Sequence, residues 1–219
     1  MLDILLHNDL FIICNKPPGI ASQPDKTGDA ALLDMAEKRC HQPLHPVNRL
    51  DRPVSGIALF AKTKAVMTAL TEQFRDRSVA KVYLAVVQTP PAEAEGTLVH
   101  FLKNNPLKNI TTAFPEEQPG SDRAELQYQL IGKSDKYFLL EIRPVTGKHH
   151  QIRAQLAAIG SPIKGDVKYG ARRGNTDRSI HLHAWKLSFE HPLSGERLSV
   201  EAPPPEDVIW KALFASEAE

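Results

Sequence analysis

Short segments that are rich in apolar residues, either in a continuous run or alternating with polar residues, predict β-strands. The segments are residues 4–7, 10–15, 56–61, 79–88, 97–101, 124–131, 137–145, 179–190 and 197–202. Asn8-Asp9 separates the first two segments, and the turn-forming run at residues 192–195 separates the last two. Such turns predict hairpins and antiparallel pairing. Residues 90–109 are expected to form a loop around one short strand.

Apolar residues recur at helical spacing in four other segments. These are residues 29–40, 63–75 and 146–158, and a short segment after residue 205 that carries Trp210 and Phe214. Asp29 and Thr63 are expected to cap the first two helices, and Gly160 to end the third. Because strands outnumber helices and most are joined as hairpins, we predict an α+β fold. It consists of one domain, residues 1–219, on a mixed, largely antiparallel β-sheet with flanking helices.

The composition is that of a soluble globular protein, with 42% hydrophobic and 24% charged residues. No apolar run approaches the roughly 20 residues of a transmembrane helix. The first nine residues lack the basic start and apolar core of a signal peptide, so we expect a cytoplasmic location. Cys14 and Cys40 fit no metal spacing and are predicted to be reduced, buried thiols.

The formal net charge of +1 does not indicate a nucleic-acid partner, but the distribution of charge does. Residues 142–181 contain eight Lys and Arg residues against two acidic ones, whereas residues 190–219 contain seven Asp and Glu residues against two basic ones. This segregation favours one basic and one acidic face. The alternative is that folding mixes the two segments on the surface.

The most informative segment is 48–62, in which Arg49 and Asp51 flank Leu50 and Ser55-Gly56 precedes an apolar strand. In an extended segment side chains alternate, so Arg49 and Asp51 point to one face while Leu50 enters the core. A guanidinium beside a carboxylate keeps the carboxylate ionised. An ionised Asp on a rigid element can act as a nucleophile or base. A plain surface ion pair at a strand end is the alternative.

Further motifs accompany this segment along nearly the whole chain. They are Asn15-Lys16-Pro17-Pro18-Gly19, Lys81-Val82-Tyr83-Leu84-Ala85-Val86-Val87, Arg143-Pro144-Val145-Thr146-Gly147-Lys148-His149-His150-Gln151-Ile152-Arg153, Gly160-Ser161-Pro162-Ile163-Lys164-Gly165-Asp166 and Tyr169-Gly170. Together, in this order, they resemble the RluA-type pseudouridine synthases over roughly residues 4 to 200. The resemblance implies an isomerase that moves the base of selected uridines in RNA from a nitrogen to a carbon glycosidic bond, without a cofactor. It also implies a single catalytic domain with no accessory RNA-binding domain before it.

The resemblance assigns the catalytic residues. Asp51 matches the family's catalytic aspartate, Arg153 an arginine that pairs with it, and Tyr83 a tyrosine that packs against the target base. Arg49 matches an arginine that fills the gap left by the extruded base in some relatives. From the residues alone, Arg153 could equally be a solvated helix residue and Tyr83 a packing residue of a strand.

Other polar residues are candidate RNA contacts, in which position matters more than identity. They are Asn48, Lys148, His149, Lys164, Lys168, Arg172 and Arg173. Asn48, Val54 and Lys148 depart from the His, Thr and Arg that the family usually has, which affects RNA grip and substrate choice more than chemistry. The Arg52-Pro53 version of the signature looks slightly more like members that act on tRNA than on rRNA. We expect a monomer.

Three competing interpretations follow from the same residues. His149-His150 and the pair His181 and His183 favour a metal site, but no Cys or acidic residue completes a ligand set, so we expect none. A glycoside hydrolase needs two carboxylates, and no second acid lies in a comparable motif. A catalytically silent RNA-binding protein explains the basic segment, but not Asp51, Arg153 and Tyr83 together.

Overall fold

The computed structural model describes residues 2–214, which pack as two compact units. The first unit comprises Met1–Lys81 and His183–Pro205, and the second comprises Val82–Leu182 and Glu206–Glu219. Two of the three boundaries, between residues 81 and 82 and between residues 182 and 183, fall within strands, and the third lies between the last strand and the last helix. One catalytic domain over residues 1–219 stays a prediction.

The first unit is a sheet with a helix on each face. In chain order its elements are β1 (Asp3–His7), β2 (Phe11–Lys16), α1 (Leu32–Cys40), β3 (His45–Pro46), β4 (Ser55–Ala61), α2 (Lys64–Asp76), β10 (Leu182–Glu190, from residue 183) and β11 (Arg197–Glu201). The strand order is β1-β2-β4-β10-β11, and β3 also pairs with β4. β4 and β10 run parallel, while the β1–β2, β2–β4, β3–β4 and β10–β11 pairs are antiparallel.

Strand β4 is buried along its whole length because both of its faces are covered. Ile57 and Leu59 belong to the core cluster that includes α2, and Ala58 and Phe60 to the cluster that includes α1. Gly56 sits where β4 approaches β10 most closely, since a Cβ there would lie 2.3 Å from the carbonyl oxygen of Ala184. The segment before β4 therefore leads into the most firmly packed strand of the unit.

The second unit is an antiparallel sheet with two helices and a 3₁₀ turn. Its elements are β5 (Ala80–Val87, from residue 82), β6 (Glu95–Asn105), β7 (Ile110–Phe114), β8 (Asp122–Lys133), β9 (Phe138–Pro144), α3 (Gln151–Ala158), the 3₁₀ turn Val167–Tyr169, and α4 (Val208–Phe214). The strand order is β5-β9-β8-β6-β7. Ala154 of α3 packs with Leu102 of β6, Ala124 of β8 and Tyr169.

The predicted α+β class with a mixed, largely antiparallel sheet and flanking helices is confirmed. The hairpin at Asn8-Asp9 forms, and its turn is closed by the Asn8 side chain, which accepts from the amides of Leu10 and Phe11. Thr63 caps α2 by accepting from the amide of Val66.

Some predicted boundaries are wrong. The short strand predicted at residues 97–101 is the 11-residue strand β6, so the predicted loop is shorter than expected, and β7 has no counterpart among the predicted strands. Helix α1 begins at Leu32, so Asp29 does not cap it; Asp34 instead accepts from the amide of Ala31. Helix α3 begins only at Gln151, because residues 146–150 form a turn.

Cys14 is buried as predicted, whereas Cys40 at the end of α1 is half-buried; both are free. None of the helices in residues 2–214 is long and apolar enough to span a membrane. The predicted short helix after residue 205 is α4, and the side chain of Phe214 lies outside the described residues.

Candidate active site

Asp51 lies in a turn between β3 and β4 of the first unit. The turn is closed by the amide of Val54, which donates to the carbonyl oxygen of Asp51 at 3.0 Å. Leu50 is buried, Arg49 is exposed and Asp51 is half-buried. The predicted alternation around Leu50 is therefore confirmed, although these residues form a turn rather than part of a strand.

The backbone on the amino-terminal side of Asp51 is held by Ser22. The Ser22 hydroxyl donates to the carbonyl oxygen of Leu50 at 2.8 Å and accepts from the amide of the same residue at 3.0 Å. Ser22 is buried. Both polar groups of Leu50 are thus satisfied inside the protein, which fixes the direction in which the chain enters the Asp51 turn.

The backbone on the other side of Asp51 is held by Lys16, a fully buried lysine. Its Nζ donates to the carbonyl oxygens of Pro17 at 3.1 Å, Ile20 at 2.8 Å and Arg52 at 3.2 Å. The amide of Gly19 donates to the same Arg52 carbonyl at 2.8 Å. Three carbonyl oxygens match the three N–H bonds of an ammonium group.

Burial lowers the pKa of Lys16 to about 7, while the nearby carboxylate of Asp51 acts in the opposite direction. Lys16 is thus an electrostatic neighbour of Asp51 as well as a tie between two loops. Sequence reasoning did not assign it a role. The available signal was a lysine at the end of β2, whose other residues are almost all buried.

The side chain of Asn48 makes two hydrogen bonds to the backbone of strand β4. Its Nδ2 donates to the carbonyl oxygen of Ile57 at 3.0 Å, and its Oδ1 accepts from the amide of Leu59 at 2.8 Å. These bonds give Asn48 a structural role at the start of the Asp51 turn. RNA contact through Asn48 stays a prediction.

Arg153 lies on α3 of the second unit and is buried, not solvated. Its Nε donates to Asp166 Oδ2 at 2.7 Å and its Nη2 to Asp166 Oδ1 at 2.8 Å, with side-chain exposures of 6% and 1%. This is a bidentate pair, the strongest form of arginine–carboxylate contact. Burial of both charges requires such a partner.

Tyr169 completes the support of Arg153. Its ring centroid lies 4.8 Å from the guanidinium carbon, within the range of a cation–π contact. Its hydroxyl accepts from the amide of Thr111 at 2.9 Å and lies 2.8 Å from Nδ1 of His150. The ring of His149 stacks on that of His150 at 3.7 Å, and its Nδ1 lies 3.0 Å from the hydroxyl of Thr111.

Neither Asp166 nor Tyr169 was assigned a role from the sequence. The signal for both was present in the Gly165-Asp166 and Tyr169-Gly170 motifs that follow α3. A single Asp after a helix has many possible partners, so the pairing with Arg153 emerges only from the structure.

The predicted catalytic residues are divided between the units, with Asp51 in the first and Tyr83 and Arg153 in the second. Tyr83 lies on β5, paired in register with Ile142 of β9, and is half-buried. Its position on a strand agrees with the sequence prediction. The joint action of the three residues stays a prediction.

The candidate phosphate contacts differ in exposure. Lys168, Arg172 and Arg173 are exposed on and after the 3₁₀ turn, as is His149 before α3. Lys148 is exposed and pairs with Asp122 at 3.0 Å. Lys164, in contrast, is directed inward: its Nζ donates to Asn175 Oδ1 at 2.5 Å and lies 5.9 Å from the ring centroid of Tyr137.

The two histidines considered for a metal site bind protein groups in separate units. His181 lies 3.0 Å from Asp207 and stacks on Trp210. His183 contacts the hydroxyl of Ser55 through Nδ1 at 2.9 Å and the carbonyl oxygen of Ala202 through Nε2 at 3.0 Å. Within residues 2–214, no group of three or more His, Cys, Asp or Glu side chains is arranged to hold a metal ion.

Comparison with known proteins identifies the family. A family profile described as RNA pseudouridylate synthase matches residues 10–158, which include the Asp51 turn and Arg153. The chain belongs to the RNA pseudouridylate synthase family. It is therefore an isomerase that makes pseudouridine in RNA, and the predicted RluA-type resemblance is confirmed.

The relatives of this pseudouridine synthase match it over nearly its full length. The dual-specificity RNA pseudouridine synthase RluA of Pasteurella multocida is 33% identical, over 93% of this chain and 93% of the relative. The tRNA pseudouridine synthase C of Vibrio parahaemolyticus is 30% identical, over 97% of this chain and 94% of the relative. The structure of human RNA pseudouridylate synthase domain containing 1 shares the fold, with a TM-score of 0.80 over 97% of this chain and 87% of that chain at 24% identity.

Proposed function

We propose that Asp51 is the catalytic carboxylate in the isomerisation of uridine in folded RNA. The observation that carries the proposal is that the backbone is fixed on both sides of Asp51. Ser22 holds Leu50, and Lys16 holds the carbonyl of Arg52, while the Asp51 side chain is only half-buried. A carboxylate on such a backbone can attack the sugar, or assist departure of uracil, at little cost in reorganisation.

Arg153 is proposed to pair with Asp51 during the reaction. The bidentate bond to Asp166 and the ring of Tyr169 support this role, because they hold the guanidinium in one orientation. Arginine remains charged at any pH the protein meets, so it supplies a fixed positive charge to an anionic partner.

Tyr83 and Arg49 are proposed to act on the base and on the gap that it leaves. A tyrosine ring face tolerates rotation of uracil, and stacking on an aromatic ring contributes about 1–3 kcal/mol per base. Arg49 is exposed beside Asp51, and its planar guanidinium suits the place of an extruded nucleotide.

The substrate is proposed to be structured RNA, with tRNA favoured over rRNA. The relative from Vibrio parahaemolyticus, which is matched over 94% of its length, is a tRNA pseudouridine synthase, and this supports the preference. The exposed side chains of Lys168, Arg172 and Arg173 are proposed to contact phosphates, and Lys148 and His149 to assist. The enzyme is proposed to act as a cytoplasmic monomer.

Substitution of Asp51 by Asn tests the proposal. A neutral amide keeps the shape but cannot act as a nucleophile or base, so conversion should fall below about a tenth of the parent rate with RNA affinity nearly unchanged. Conversion of uridine in tRNA and rRNA transcripts is measured with purified protein. Asp76→Asn, at an exposed site at the end of α2, is the matched control and should retain full activity. Activity of Asp51→Asn near the parent rate would disprove the assignment.

A further inference from the structure

Arg52, the residue directly after Asp51, grips the loop of residues 25–29 through its guanidinium. Its Nη2 donates to Asp25 Oδ2 at 2.8 Å and to Thr27 Oγ1 at 2.7 Å, and its Nη1 donates to Asp29 Oδ2 at 2.9 Å. One side chain thus binds three residues of the 25–29 loop at once. The planar fork of arginine is required for this, since an ammonium group presents no such fixed geometry.

The 25–29 loop is itself ordered around the groups that Arg52 binds. Asp25 Oδ1 accepts from the amide of Thr27 at 2.9 Å and from its hydroxyl at 2.6 Å. The hydroxyl of Thr27 also accepts from the amide of Asp29 at 3.3 Å. These bonds to Thr27, followed by the bond to Arg52, lower the pKa of Asp25 to about 2, so Asp25 is fully ionised at neutral pH.

Arg52 is equally engaged through its backbone. Its carbonyl oxygen accepts from the amide of Gly19 and from Lys16, and its Nη1 donates to the carbonyl oxygen of Gly19 at 3.3 Å. The residue that follows Asp51 is therefore held at both its carbonyl and its side chain. Arg52 therefore joins the 25–29 loop to the Asp51 turn.

The exposure of the charged side chains limits how much this contact contributes to stability. The side chain of Arg52 is 33% exposed, that of Asp25 39% and that of Asp29 64%. An isolated ion pair at such exposure contributes little to stability, but several charges joined in one network with good geometry can order a loop. The contact thus has more influence on local order than on the free energy of unfolding of the whole chain.

We propose that Arg52 is a positioning residue for Asp51: its guanidinium binds the 25–29 loop and thereby fixes the turn that carries the carboxylate. This inference rests on the proposed role of Asp51. The alternative partner for a guanidinium beside an RNA site is a phosphate of the RNA. Asp25 and Asp29 already neutralise Arg52, so an RNA phosphate would have to displace a carboxylate. We therefore assign Arg52 to the loop rather than to the RNA.

The first arm of the test measures local order without using activity. Lys26 is exposed inside the loop, and the Lys26–Thr27 bond is a trypsin site. Arg52→Gln should speed cleavage at this bond by at least about fivefold, because proteolysis follows the population of the open loop. Asp25→Asn removes the charge of a partner of Arg52 and should also speed cleavage at this bond by at least about fivefold. The matched control is Arg75→Gln, which removes another exposed ion pair of this unit and should leave the cleavage rate unchanged.

The second arm separates positioning from binding. Arg52→Gln should reduce the single-turnover rate of pseudouridine formation by about tenfold, since small displacements of a reacting group are costly. The Kd for RNA should change by less than about twofold, and Arg52→Lys should restore only part of the rate. Asp25→Asn and Arg52→Gln should be non-additive in the rate, because they remove the same contact.

Two results would overturn the proposal. Unchanged cleavage at Lys26 in both variants would mean that Arg52 does not order the 25–29 loop. A weaker Kd for Arg52→Gln, a tighter Kd for Asp25→Asn and unchanged rates would make Arg52 a phosphate ligand. Failure of the proposed function is seen separately: Asp51→Asn would then stay active, and the cleavage arm would still report on the loop. If Asp51→Asn is inactive but Arg52→Gln has the parent rate, the role of Asp51 stands and that of Arg52 falls.

Discussion

Two buried charged side chains, Lys16 and Arg153, define the surroundings of the candidate site at the scale of single residues. Lys16 is surrounded by carbonyl oxygens, and Arg153 by a carboxylate and an aromatic ring. A buried charge that loses its partner is costly, whereas the intact pair is close to neutral for stability. Such residues therefore specify local geometry more than they stabilise the fold.

Removal of the charge of Asp166 should be strongly destabilising. Asp166→Asn removes the charged half of the buried bidentate pair with Arg153, and we expect the free energy of unfolding to fall by about 3–5 kcal/mol. Urea denaturation measures it. Asp135→Asn, at an exposed aspartate of the same unit, serves as control and should change stability by no more than about 0.5 kcal/mol. A loss for Asp166→Asn as small as that of the control would show that the pair does not need its charge.

The sequence predicts residues of this kind unevenly. The burial of Leu50 and the exposure of Arg49 could be predicted, because alternation depends only on local backbone geometry. The partners of Arg153 and Lys16 could not. Asp166 is 13 residues from Arg153, and Lys16 reaches a carbonyl 36 residues away. Pairings over such distances depend on how the chain folds back on itself.

At the scale of elements, prediction succeeds where the local pattern and the packing agree. β4 reads as a buried strand and is buried on both faces, and α2 has both a Thr cap and an apolar stripe. The pattern predicts only residues 97–101 of β6 as a strand, because the side chains of β6 are mostly exposed or half-buried and only Leu102 is buried. Its extended form is imposed by pairing with β7 and β8, which a local pattern does not reveal.

Histidine 183 makes the β4, β10 and β11 arrangement sensitive to acid. Its Nε2 donates to the carbonyl of Ala202, which leaves Nδ1 to accept from the hydroxyl of Ser55, and this is the neutral tautomer. Burial lowers the pKa of His183 to about 4. Between this value and the ordinary histidine pKa near 6.5, the unfolded chain binds the proton and the folded chain does not. Stability should therefore be lost as pH falls from about 6.5 towards 4.

Urea denaturation at pH 7 and pH 4.5 checks this expectation. The loss of stability between the two pH values should be smaller in His183→Gln than in the parent protein. It should not vanish, because burial also lowers the pKa of His181 to about 4, with the same sign. The titration of Asp25 has little effect between these pH values. Its pKa is lowered from 3.8 to about 2, so the stability it contributes is lost mainly below pH 4. Equal losses in the parent and the variant would mean that His183 does not titrate in this window.

At the scale of the whole molecule, the uneven distribution of charge is the feature most relevant to RNA. The count of basic residues between 142 and 181 overstates the basic surface, because Arg153 is buried against Asp166 and Lys164 is directed at Asn175. Six of the eight are exposed, but Arg143 pairs with Glu141 and Lys148 with Asp122. The other four exposed basic residues lie on and after the 3₁₀ turn: Lys168, Arg172, Arg173 and Arg178. The sequence thus predicts the basic region but not which of its charges face solvent.

Replacement of Lys168, Arg172 and Arg173 together by Ala should weaken RNA binding and reduce its salt dependence. If each contacts one phosphate, the slope of log K against log salt should fall in magnitude by about 2 to 3. Binding is measured from 50 to 300 mM salt, a range of about sixfold over which counterion release is readily resolved. A triple substitution of the exposed lysines Lys26, Lys38 and Lys64 is the charge-matched control. An unchanged slope in the first variant would place the RNA elsewhere on the protein.

Arg49 connects the turn that carries Asp51 with the conformation of the RNA. If its guanidinium occupies the place of the extruded uridine, it acts after the base has left its stack, and so in the flipping or chemical step. Arg49→Lys keeps the charge but loses the planar fork. We expect the single-turnover rate on folded RNA to fall by at least about tenfold, equivalent to roughly 1.4 kcal/mol, with binding little changed.

A short unstructured RNA that contains the same uridine provides the control for Arg49→Lys. Less unstacking is needed there, so the rate on this substrate should be less sensitive to the substitution. Equal damage on both substrates would mean that Arg49 serves the charge state of Asp51 instead, since that role does not depend on RNA structure. No effect on either would make Arg49 an ordinary surface residue. The comparison therefore distinguishes a residue that acts on the shape of the RNA from one that acts on the carboxylate beside it.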